Sequence, residues 1–102
     1  TKIGPKWKPG FTKAIKYWVP SIAASSMVIY KGDEFKEWNG DALIAALKDE
    51  SLRRVKFKEN NCISEKIIFK GLIGRIRDIE IQESTGKIFL LTDQGSIWKL
   101  QK

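Results

Sequence analysis

From Ser21 onward the chain alternates short apolar runs with clusters of turn-forming residues. Ser21 to Tyr30 is small and apolar, ending in Met27, Val28, Ile29 and Tyr30. It reads as a buried strand of small side chains. Lys31-Gly32-Asp33-Glu34 is a turn, and Asn39-Gly40 is a second turn signal closing Phe35 to Gly40. Ala42 to Leu47 is apolar throughout, a pattern that a short helix and a buried strand share. It feeds Arg53 to Lys58, where Val55 and Phe57 alternate with lysines as in a half-buried strand. Residues 41–47 and 52–58 are therefore read as a hairpin joined through Lys48-Asp49-Glu50-Ser51. Glu59-Asn60-Asn61 turns the chain again, and Ile63 to Lys70 gives a further strand.

The last third alternates most clearly. Arg75, Arg77, Ile79 and Ile81 are expected on one face of a strand, with Ile76, Asp78, Glu80 and Gln82 on the other. Turns at Glu83 to Gly86 and at Asp93 to Gly95 separate two more strands, Lys87 to Thr92 and Ser96 to Gln101. The class is all-β: about four strands within 21–70 and three within 75–101, antiparallel. Sandwich, barrel and propeller blades all fit repeated short strands. Strands apolar on both faces favour stacked sheets, as in blades. A complete blade has four strands, so the last sheet is one short.

Composition narrows the chemistry. At 102 residues the chain is one ordinary domain or a piece of a larger one. With 42% hydrophobic and 30% charged residues it is not of a disordered type. There is no His, which excludes imidazole bases and His metal ligands within these residues. The single Cys62 allows no internal disulfide or cysteine zinc site, and with no basic sequence neighbour it reads as a bland, half-buried thiol. The formal net charge of +7 points to acidic partners. Residues 1–16 hold five lysines and no acid among Gly4, Pro5, Pro9 and Gly10, a basic Pro/Gly-rich arm or loop. The longest apolar run, Ala42 to Leu47, is far too short for a membrane span. No charged-then-apolar leader opens the chain, and the first residue is Thr1, so the compartment stays open.

Three features are candidates for chemistry. Arg75 and Arg77, one residue apart in a strand, project on the same side about 7 Å apart, and each can fork a carboxylate. This is an anion site or a solvated strand face. Lys48 ends a buried run and either points over that end or is a turn lysine. Trp18 is a stacking platform for a planar ring or an aromatic plug.

Several strings, in order, resemble one family. They are Trp18-Val-Pro-Ser-Ile-Ala-Ala-Ser-Ser-Met27, Tyr30-Lys-Gly-Asp33, Trp38, Ala45-Ala-Leu-Lys48, Gly74-Arg-Ile-Arg-Asp78 and Leu90-Leu-Thr-Asp93. Together they resemble the C-terminal part of the PQQ-dependent soluble glucose, aldose and sorbosone sugar dehydrogenases, from about Tyr17 to the end. The resemblance implies about two blades of a six-bladed β-propeller, with 17–70 one blade and 71–102 most of the next. The missing strand would then come from the N-terminal end of the closed propeller. Lys48, Arg75 and Arg77 fall on positions that hold PQQ, whose three carboxylates suit such cations. Ser21 falls where a small hydroxyl lies near the same cofactor, and Trp18 near the substrate side. The family's His base and Ca²⁺ ligands belong to earlier blades, so this chain is expected not to oxidise an aldose to a lactone alone. Relatives of this kind are periplasmic or secreted.

Two other readings stand beside it. One is a stand-alone basic β module binding an acidic partner such as single-stranded nucleic acid. The scattered lysines and the lack of an RNP-like strand speak against nucleic acid. The other is a two-blade structural unit that assembles through open sheet edges, three copies giving six blades.

Overall fold

The computed structural model describes residues 23–59 and 61–102, with the side chains of Asn61 and Cys62 outside that description. The 1–16 arm, Trp18 and Ser21 also lie outside the described residues, as does the reading of the Cys62 thiol. Seven strands form two antiparallel sheets. The first holds β1 (Ala24–Ile29), β2 (Ala42–Ala46), β3 (Ser51–Lys58) and β4 (Asn61–Lys70), paired in that order. The second holds β5 (Ile76–Ile81), β6 (Ile88–Thr92) and β7 (Ile97–Leu100), also in order. The expected four-plus-three division holds, and Ala42–Ala46 is a strand, not a helix. β4 begins at Asn61, two residues earlier than the turn signal implied.

β2 explains itself. Its five residues are all buried, so both of its faces meet apolar partners. Leu43 and Ala45 join Val28, Leu52, Ile76, Ile79, Ile88 and Leu90 in a core between the two sheets. Ala42, Ile44 and Ala46 join Met27 and Val55 in a second cluster on the opposite face. Period-two alternation thus sorts one continuous apolar run into two cores.

β1 is the seam. It packs on β5 and fastens it at both ends. Near its start the Ser25 hydroxyl donates to the carbonyl of Ile76 at 2.6 Å. Past its end, the fully buried Tyr30 donates its hydroxyl proton to the carbonyl of Gly86 at 2.6 Å. The same oxygen accepts from the Phe35 amide at 3.1 Å. Burial raises the Tyr30 pKa, since the phenolate would have to form away from water. Gly86 has φ 81°, and a Cβ there would lie 2.6 Å from the Tyr30 hydroxyl oxygen. Gly32 approaches Gly86 just as closely, so neither position has room for a side chain. Phe35 and Trp38 stack at 4.2 Å beside Tyr30, and the Arg54 guanidinium lies 5.3 Å from the Trp38 ring centre.

The expected alternation of β5 needs correction. Ile76 and Ile79, three residues apart, are both buried. The register shifts between Ile76 and Asp78, pairing Ile76 with Thr92 and Asp78 with Leu91. Arg77 is the extra residue of a bulge, which re-phases the strand. Arg77 therefore does not continue a face with Ile79 and Ile81, as strict alternation had it.

Replacing Tyr30 by Phe removes one bond to Gly86 and orphans the buried Phe35 amide. Tyr30→Phe is expected to cost about 1–3 kcal/mol, read from denaturant unfolding. Gly86→Ala is expected to cost more, because it adds a clash to an unfavourable φ.

Candidate functional site

Antiparallel pairing collects the candidate residues at one end of both sheets. Ala24 pairs with Ala46, so the start of β1 and the end of β2 share that end. Ser51 pairs with Ala46 and with Lys70, adding the start of β3 and the end of β4. The Ser25–Ile76 bond brings the start of β5 to the same end, and Ile76 pairs with Thr92 at the end of β6. The turn 47–50, the segment leading to Arg75, and the turn after Thr92 thus form one rim. Lys48 and Arg75 are exposed on it, and Arg77 stands one bulge further in. Pairing thus brings the backbones of all three predicted cations to this end of the sheets. Tyr30, Gly86 and the aromatic stack lie at the opposite end.

Each part of the rim has a local cause. The Leu47 amide donates to the carbonyl of Ala23 at 2.9 Å, tying the turn to the start of β1. The Asp93 amide donates to the carbonyl of Arg75 at 3.0 Å, which holds the backbone entering β5. Arg77 Nε lies 3.9 Å from Asp93 Oδ1, a pair whose side chains are 61% and 48% exposed. Such a pair is weak and leaves the guanidinium free to take another carboxylate. The rim therefore carries a lysine in a turn and two exposed arginines, one just before β5 and one within it, residue types suited to a multiply charged anion.

One group of residues escaped the sequence reading. Arg53 donates from Nη2 to Asp49 at 2.5 Å, from Nε to Ser51 Oγ at 3.0 Å, and from Nη1 to Glu65 at 2.6 Å. Asp49 was legible only as an acid in a turn, and Arg53 only as part of an alternating strand. The available signal was an acid and an arginine four residues apart across a turn. The Ser51 hydroxyl and then the Arg53 guanidinium lower the Asp49 pKa below the usual carboxylate range, against the opposing effect of burial.

The glucose/sorbosone dehydrogenase family model matches residues 1–99. That span takes in residues 1–16, which carry no part of the motif resemblance. An uncharacterized protein of Synechocystis is 36% identical over 90 residues, covering 87% of this chain and 21% of the relative. The aldose sugar dehydrogenase YliI of Escherichia coli is 30% identical over 87 residues, covering 85% of this chain and 23% of the enzyme. The chain thus spans about a fifth of the length of these curated relatives.

A lowered folded pKa at Asp49 means that the unfolded state binds more protons in the acid range, so stability rises with pH there. The contribution is complete above the ordinary carboxylate pKa of about 3.9 and is lost as pH falls through the lower folded value. Denaturant midpoints measured at a series of pH values are expected to fall along that limb. In Asp49→Asn the limb should flatten.

Proposed function

The chain belongs to the glucose/sorbosone dehydrogenase family, and we propose that it is the C-terminal share of a quinoprotein sugar dehydrogenase that supplies part of the PQQ site. The single observation that supports this reading is that strand pairing brings the backbones of Lys48, Arg75 and Arg77 to one end of the two sheets. PQQ bears three carboxylates, and a lysine with two arginines is a donor set that fits it. Arg75 and Arg77 hold carboxylates in bidentate forks, and Lys48 adds a compact ammonium that reaches an oxygen from the side. The family resemblance assigns Ser21 to the cofactor's surroundings and Trp18 to the substrate side, both outside the described residues. When bound, the quinone supplies the two-electron oxidising power that turns an aldose into its lactone.

The chain's own part is to bind and orient. It has no histidine, so the histidine base that the family resemblance implies belongs elsewhere in the enzyme, and the Ca²⁺ ligands are assigned there too. The two sheets are then two neighbouring blades of a six-bladed propeller, the three-stranded one completed by a strand from outside this segment. Their burial on both faces of β2 supports stacked blades. The comparisons lend no support to a nucleic-acid-binding module or to a free-standing assembly unit.

Titration of the chain with PQQ in the presence of Ca²⁺ tests the proposal. Binding is expected to saturate. One charge-assisted contact contributes about 1.5–3 kcal/mol, so Arg75→Ala or Arg77→Ala alone should weaken binding by about tenfold to a hundredfold. The double variant should not saturate. Equal affinity in the native chain and the double variant would sink the proposal.

A further inference from the structure

Lys48 owes its position to a turn, and that turn holds little of itself. Its own closing bond, from the Glu50 amide to the Leu47 carbonyl, is long at 3.4 Å. Glu50 sits at φ 54°, a left-handed conformation that a glutamate keeps only where its surroundings impose it. The Lys48 side chain is exposed.

Arg53 bonds the residues on either side of Glu50, Asp49 and Ser51. On β3 it stands across from Ile44 of β2 and Ile67 of β4. Its guanidinium reaches three separate places: Asp49 beside Lys48 in the turn, Ser51 at the start of β3, and Glu65 within β4. The side chain is only 13% exposed, so these bonds are far less screened than those of a surface pair. A guanidinium is flat and rigid, so fixing two of its nitrogens on β3 and β4 also fixes where the third holds Asp49. The same turn is tied onward, because the Gly71 amide donates to the Glu50 carbonyl at 3.0 Å, at the head of the segment leading to Arg75.

We infer that Arg53, with Asp49 and Ser51, is a positioning device for the cofactor rim: it locks the 47–50 turn to β3 and β4 and so presets Lys48 toward the anion. The inference rests on the reading of Lys48 as a cofactor contact. Arg53 acts through Lys48 and does not touch the cofactor, which sets it apart from Arg75 and Arg77.

The test is a double-mutant cycle read by PQQ titration of the whole chain: native, Arg53→Ala, Lys48→Ala and the pair together. Residues acting through a neighbour shift binding by about threefold to thirtyfold, and Arg53→Ala is expected to weaken PQQ binding within that range. Asp49→Asn, which keeps shape and loses charge, should weaken it in the same direction. Both losses should vanish in the Lys48→Ala background, an outcome that general destabilisation does not produce. Without PQQ, amide exchange at Lys48 and Asp49 should quicken in either variant. Where Arg53→Ala does not fold, Asp49→Asn carries the cycle. Losses that persist undiminished without Lys48, or native affinity in a folded Arg53→Ala or Asp49→Asn chain, overturn the inference. Arg75→Ala/Arg77→Ala serves as the control. Binding indifferent to that control removes the cofactor reading and the inference with it, whereas binding lost in the control but unchanged at Arg53 removes the positioning role alone.

Discussion

The Tyr30 hydroxyl is shared by two sheets and a loop, and most of the structure is arranged so that it can be. It is fully buried, donates to Gly86 in the turn between β5 and β6 and accepts from Phe35. A buried hydroxyl left unpaired would be costly, so both partners must be in place at once. That demand sets the close approach of Gly32 to Gly86, which admits no Cβ on either residue. With Ser25 bonded to the Ile76 carbonyl at the other end, β1 is fastened to β5 along its length. The sheets therefore meet at a fixed offset, and the rim at the far end inherits its geometry from a contact it does not touch.

The arginines divide according to what surrounds them. Arg53 and Arg54 are sequence neighbours on a strand, so they point to opposite faces. Arg53 is consumed by two carboxylates and a hydroxyl. Arg54 lies over Trp38 with its Nε 3.7 Å from the buried Asp41. Neither has charge to spare for a ligand. Arg75 and Arg77 are exposed at the rim, and Arg77 lies 3.9 Å from the exposed Asp93. A chain of net charge +7 thus offers its cations unevenly, and only geometry separates the structural ones from those left for binding.

Much of this was legible beforehand. Alternation and turn signals gave seven strands in two groups, because a buried face and a tight turn each leave a local mark in sequence. The motif strings placed Lys48, Arg75 and Arg77 together, and pairing brings their backbones to one end. What escaped depends on long-range partners. The bulge at Arg77 leaves no local mark beyond two buried isoleucines spaced by three, Ile76 and Ile79, which strict alternation mis-assigns. Tyr30 read as the end of an apolar run, since nothing near it names Gly86, which lies 56 residues away, as its acceptor. Arg53 looked like one of several cations because Glu65 belongs to the next strand.

The rim is built largely from turns, ordinarily the softest parts of a β structure, yet the proposed cofactor site needs its charges fixed before the ligand arrives. Each turn is tied by a backbone hydrogen bond to a residue that flanks a strand. Leu47 bonds to Ala23 at the start of β1, Glu50 to Gly71 beyond β4, and Asp93 to the backbone of Arg75. Lys48, Arg75 and Arg77 are exposed beyond these ties. On the proposed reading the exposed Arg77–Asp93 pair is a holding contact. At such exposure it contributes at most about 1 kcal/mol, enough to bias the guanidinium and too little to oppose its transfer to a better carboxylate. A stronger, buried pair at that position would have stabilised the strand and withdrawn the charge from the site.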